Sequence, residues 1–151
     1  MELSNAKKFG RLRKNNVLLN VFFVAAIITL FMIESLKDVK TYIIIGIAIV
    51  YVLMLIYFIL LKYSYLFFNF DGNKIIIKHY TLSPIGRKYV SFEIQKSSFA
   101  GFEIKKAFFN MRDDLYVFAR INNKKASYPP ISLSALTESD KLKLIDYLKK
   151  I

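Results

Sequence analysis

Cysteine is absent from the chain, which excludes disulfide bonds and thiolate metal sites. Histidine occurs once, as His79, so no H-E-x-x-H metal motif exists. Its place in "KIIIKHY", beside isoleucines, reads as a packed strand residue rather than a general base. Only five glycines occur in 151 residues, and none of them builds a phosphate-cradling loop. Acidic residues number 11 against 23 lysines and arginines, and the one adjacent acid pair, Asp113-Asp114, reads as a solvated turn rather than an acid–base couple. No catalytic constellation, cofactor motif or metal-ligand set emerges, and the expectation is a protein that is not an enzyme and carries no cofactor.

What is abundant is hydrophobicity, 55% of residues, alongside a net charge of +12. The two are segregated. The runs 17–33 ("VLLNVFFVAAIITLFMI") and 41–61 ("TYIIIGIAIVYVLMLIYFILL") contain no charged residue. At about 1.5 Å per residue they span roughly 25 and 31 Å, against a hydrocarbon core of about 30 Å. Arg13 and Lys14 precede the shorter run and can snorkel to headgroups. A cleaved signal peptide fits less well, because no A-x-A-like site follows and a second run starts after residue 40. The expectation is a transmembrane helical hairpin over 17–61.

Basic residues resist translocation, and Lys7, Lys8, Arg11, Arg13 and Lys14 precede the first run against Glu2 alone. The connector 34–40 balances Lys37 and Lys40 with Glu34 and Asp38. Both termini are therefore expected in the cytoplasm, with residues 1–16 a basic N-terminal segment. Lys7, Lys8, Arg11, Arg13, Lys14 and Lys62 are candidate contacts to the membrane surface. Inside the runs, Asn20 either bonds across the hairpin or reaches interfacial water, the second being the cheaper arrangement near a helix end. Gly46 allows close helix approach, and both are candidate interhelical residues.

Residues 62–151 suffice for a small folded domain. "FNFDGNKIII" reads as a β-hairpin, with Ile75, Ile77 and His79 alternating against Lys74, Ile76, Lys78 and Tyr80. Further strands are expected at 87–95, 98–105, 107–111, 115–121 and 126–133, about seven in all. Pro129 and Pro130 lack amide hydrogens and make the last an edge or a broken strand. Thr137 begins an amphipathic helix whose stripe is Leu142, Ile145, Leu148 and Ile151, with Leu144.

Seven strands in meander order closed by a helix resemble the pleckstrin-homology (PH) superfold. Two spans followed by such a sheet are similar to bacterial membrane-anchored PH-like proteins of the YcxB-like group. The ending "YPPISLSALTESDKLKLIDYLKK" and the segment "FEIKKAFFNM" are similar in style to small two-span proteins of Bacteroidota. The resemblance implies a membrane α+β protein, in which a two-helix transmembrane hairpin precedes a PH-like seven-stranded antiparallel sheet or barrel with a C-terminal helix. It also implies residence in a bacterial inner membrane. It implies no phosphoinositide capture, because the first hairpin loop is only Asp71-Gly72-Asn73 and has no arginine cluster.

The basic pairs Arg87-Lys88, Lys105-Lys106, Lys124-Lys125 and Lys149-Lys150 suit an anionic bilayer surface better than nucleic acid, which is not expected as a partner. Phe108 and Phe109 are consecutive, so on a strand they point to opposite faces, and one must be exposed or meet another surface. They are the candidate partner-binding residues. The expected partners are the lipid bilayer and an integral membrane protein or a homo-oligomer. Two roles remain open: a docking module accessory to a membrane or envelope complex, and a domain that senses lipids or a ligand at the membrane surface.

Overall fold

The computed structural model describes residues 2–33, 39–70, 72–82, 89–121 and 124–151. Connector residues 34–38, Asp71 of the hairpin turn, the expected turns at 83–86 and 122–123, and the Arg87-Lys88 pair lie outside the described residues. The architecture is α+β: two long apolar helices, then antiparallel sheets and a closing helix.

The long helices are α1, Ala6–Met32, and α2, Lys40–Leu61. Both are long and apolar enough to cross a membrane. α1 starts well before the expected 17, because Ala6 to Lys14 are largely good helix formers with no proline among them. Gly10–Leu60 form one compact unit. Within it Tyr51 Oη donates to Asn20 Oδ1 at 2.5 Å, Phe23 packs on Tyr51 with ring centroids 5.0 Å apart, and Lys40 Nζ donates to the Phe31 carbonyl at 2.8 Å. These pairings fix an antiparallel hairpin.

The second compact unit is Met1–Phe9 with Leu61–Ile151. Among the described residues it has eight strands in two four-stranded sheets. They are β1 Glu2–Ser4, β2 Ser64–Asn69, β3 Lys74–Thr81, β4 Tyr89–Gln95, β5 Phe99–Ala107, β6 Arg112–Ile121, β7 Lys124–Ser127 and β8 Ile131–Ser132. One sheet has the order β1-β2-β3-β4, while in the other β6 is flanked by β5 and by both β7 and β8. β1, which no expected strand covered, is supplied by the N-terminus, with Leu3 opposite Phe68.

The strand expected at 107–111 is corrected, whereas the break expected at Pro129-Pro130 is present. The segment 107–111 is the turn joining β5 to β6, since Phe108, Phe109 and Asn110 all adopt positive φ, between 50° and 65°. The segment 126–133 is interrupted at Pro129-Pro130, which cannot donate to β6. β7 pairs with Phe118–Ile121 and β8 with Asp114 and Leu115, so both lie along the same edge of β6.

The alternation expected in β3 is present, with Ile75, Ile77 and His79 buried and Lys74, Ile76, Lys78 and Tyr80 on the other face. Ile75 and Ile77 join Leu66, Phe68, Ile94, Leu115, Val117 and Ile131 from both sheets in one core. Each fully buried aliphatic or aromatic side chain there contributes about 1.5–3 kcal/mol. α3, Glu138–Lys149, completes the core. Thr137 caps it by accepting from the Asp140 amide at 3.2 Å. Its buried pair is Leu144 and Leu148, one turn apart, while Leu142 is exposed, so the apolar face is rotated from the expected stripe.

Candidate functional site

The β5–β6 hairpin carries the most exposed aromatic residue of the sheet unit. Its strands are in register from Phe102 opposite Val117 to Ala107 opposite Arg112. The turn closes with the Met111 amide donating to the Phe108 carbonyl at 2.9 Å. Three consecutive left-handed residues without a glycine are costly, of order 1 kcal/mol each. Phe109 is 90% exposed and Met111 half exposed, while Phe108 is half-buried with its ring centroid 5.6 Å from that of Phe109. The expectation that one of the pair stands free therefore holds, but through turn geometry rather than through opposite faces of a strand.

Ion pairs hold the base of this tip. Arg112 donates to Asp114 Oδ2 from Nε at 3.1 Å and from Nη2 at 2.8 Å. Lys141 of α3 donates to Asp113 Oδ2 at 2.8 Å and to Glu138 Oε1 at 2.9 Å. Burial alone disfavours the charged Lys141, but its hydrogen bonds to Asp113 and Glu138 and their charges outweigh this, and its pKa lies above the ordinary value. Asp113 and Asp114 are thus not a solvated turn. They lie in β6, Asp114 buried, and each carboxylate is taken by a cation.

His79 is buried, with its ring edge-on to Phe92 and no hydrogen-bond partner for Nε2 among the described residues. Burial lowers its pKa below the ordinary 6.5. It is a packed strand residue, as its neighbours in the sequence suggested. Among the described residues no three His, Cys, Asp or Glu side chains gather to hold a metal ion.

Several of the described basic residues of the sheet unit already have partners. Lys74 pairs with Glu93 at 3.2 Å and Lys105 with Glu103 at 3.4 Å. Lys105 and Lys125 also lie over the rings of Tyr116 and Phe118. A polar groove of 340 Å³ at one end of the sheet is lined by Asn73, Lys74, Gln95, Lys96 and Ser97, and it offers two lysines and no arginine.

Of the candidate membrane-surface residues, Lys7, Arg11, Arg13, Lys14 and Lys62 are exposed. Lys8 is not free for a headgroup, because its Nζ donates to the Leu136 carbonyl at 2.7 Å. Asn20 bonds across the hairpin to Tyr51 and also donates to the Asn16 carbonyl at 2.7 Å. Gly46 is no point of close approach within the chain, since a Cβ there would meet nothing within 4 Å.

Sequence reasoning missed Asn5. Its side chain accepts from the Leu66 amide at 2.8 Å and donates to the Ser64 carbonyl at 2.9 Å. Its backbone amide donates to the Leu66 carbonyl at 3.2 Å. Beside it Phe9 is buried, edge-on to Tyr65 and Tyr80, which stack on each other. The available signal was Leu3 and Phe9, two bulky apolar residues in an N-terminal segment rich in polar and basic ones. No family model, curated protein or solved structure matches the chain.

Proposed function

We propose that this chain is a non-enzymatic interaction module of PH-like type. It is held in a bacterial inner membrane by its two helices with both termini in the cytoplasm, and it docks an integral membrane protein as an accessory subunit. The observation that carries this reading is the β5–β6 tip, where Phe109 is 90% exposed on a left-handed turn. An aromatic ring of this kind buries about 150–250 Å² when a partner covers it. Tethering to a bilayer raises the effective concentration of the tip against other membrane proteins. The alternative, a lipid- or ligand-sensing sheet domain, has less support, because several described lysines of the sheet unit are already paired.

The test is a photo-crosslinking amino acid placed at Phe109, with the exposed Leu142 as control, in cells at native expression. The expected result is a discrete adduct with one membrane protein from position 109 and none from 142. Phe109→Ala should weaken association with that protein about thirtyfold, the effect of losing an aromatic hot spot worth about 2 kcal/mol. If position 109 gives no adduct and the alanine variant matches wild type in every phenotype that deletion shows, docking through the tip is wrong. Topology is tested separately. The chain has no cysteine, so single cysteines at Ser4 and Ser139 report alone, and an impermeant thiol reagent outside the cell should label neither.

A further inference from the structure

One face of α1 carries a groove of 500 Å³ lined by Gly10, Arg13, Lys14, Val17, Leu18 and Val21. The spacing follows successive helical turns, so these side chains form a single stripe. Gly10 deepens one end, because no side chain fills it and a Cβ there would meet nothing within 4 Å. Arg13 and Lys14 are exposed and make no ion pair among the described residues. The only acid before Glu34 is Glu2. Beyond the two cations the stripe is aliphatic and open, with Val17, Leu18 and Val21 all more than half exposed.

We propose that this groove binds one anionic glycerophospholipid, with its phosphate between Arg13 and Lys14 and an acyl chain along Val17, Leu18 and Val21. The proposal rests on the reading that α1 lies in a bilayer. The order of chemistry along the stripe, a notch, two cations and then aliphatic side chains, is the order of a phospholipid from headgroup to chain. Arginine offers a planar fork that meets phosphate oxygens in pairs, and lysine adds a mobile point charge. A choline or ethanolamine headgroup brings its own cation against Arg13 and Lys14, so a headgroup without one is favoured. A second copy of the chain fits this face poorly, because like faces would bring Arg13 and Lys14 of both copies together without an acid between them. The groove on α2, lined by Ile45, Ala48, Ile49, Val52 and Leu53, has no charged residue and is the internal control.

The full chain, purified in detergent, would be titrated with equimolar phosphatidylglycerol and phosphatidylcholine of identical acyl chains and its retained lipid counted by native mass spectrometry. The expected result is one phosphatidylglycerol per chain in preference to phosphatidylcholine. The double variant Arg13→Gln/Lys14→Gln should reduce that preference about thirtyfold. Gly10→Leu keeps every charge but fills the notch, and it should also lose the bound lipid, whereas Ala48→Leu on α2 should leave it unchanged. Excess inorganic phosphate should not displace the lipid; displacement would mean a site for the soluble anion and would overturn the proposal. So would full preference in Gly10→Leu, since binding would then be a general charge effect, and so would a chain dimer that Gly10→Leu dissociates. Alkaline carbonate separates the underlying reading from the site. Release of the wild-type chain from membranes overturns both, and retention without lipid preference overturns the site alone.

Discussion

Two lysine-flanked phenylalanines meet opposite fates. Phe9 sits in "AKKFG" and Phe109 in "KKAFFNM", and on local composition they are near equivalents. Phe9 is 4% exposed and Phe109 is 90% exposed. Phe9 follows Asn5, whose amide side chain grips β2 on both sides of Tyr65, and this delivers its ring edge-on to Tyr65 and Tyr80. Phe109 stands at the far point of a hairpin whose strands continue back into the sheet, so no described residue is placed to cover it. Burial of an aromatic ring is therefore decided by distant partners that the backbone brings or withholds, and lysines nearby in sequence do not forecast it.

The comparison breaks most visibly at Phe9. Phe9→Ala should destabilise the sheet unit by about 3–4 kcal/mol, because it leaves a cavity against two tyrosines. Denaturant titration of the detergent-solubilised chain measures this, and a change below about 1 kcal/mol would mean the aromatic cluster contributes little.

Asn5→Ala should cost about 2 kcal/mol in the same titration, since it strands the buried Leu66 amide without its side-chain acceptor. If Asn5→Ala is neutral, the N-terminal strand is an accessory to the sheet rather than a part of it.

A smaller effect is expected at His79. Its pKa in the folded chain is lowered, so the folded state resists a proton that the unfolded state accepts. Stability is then complete above about pH 6.5, the unfolded value, and falls as pH drops from there toward the folded pKa. His79→Leu should flatten this part of the pH profile, and an unchanged slope would assign the loss to other groups.

The smallest effect on stability is expected at the tip. Phe109→Ala should change unfolding free energy by no more than about 0.5 kcal/mol, as an exposed substitution does, while weakening partner association strongly. Phe109→Gly should be slightly stabilising, because glycine takes positive φ without steric cost. A large loss of stability in either variant would show that the ring is packed in the folded chain.

Uncharged length made the two long helices legible in the sequence, and alternation, turn chemistry and helical spacing did the same for the β2–β3 hairpin and α3, because each of these signals lies within the element's own length. Thr137 was legible as a cap for the same reason, since its partner amide is three residues away. The strand β1 was not. Three residues are too few to show alternation, and their partners lie more than sixty positions later. The turn at 108–110 was hidden because phenylalanine is a strand former and rarely adopts positive φ. Asp113 and Asp114 were misread because the cations that make them structural include one on α3, Lys141, which no local window contains.

By itself the sequence determined what local chemistry controls. It separated charge from hydrophobicity, set two membrane-length helices, barred disulfide and thiolate chemistry, and prescribed which face of β3 is buried. Only the tertiary structure decided which polar and aromatic residues would find partners. It brought Asn5 to β2, Lys8 to the Leu136 carbonyl, Tyr51 to Asn20 and Lys141 to Asp113, and it left Phe109 without cover. The reason is physical: the hydrogen bonds and ring contacts that settle those positions act over a few ångströms in space. Separation along the chain does not limit them, so a local pattern cannot encode which residues the fold will bring together.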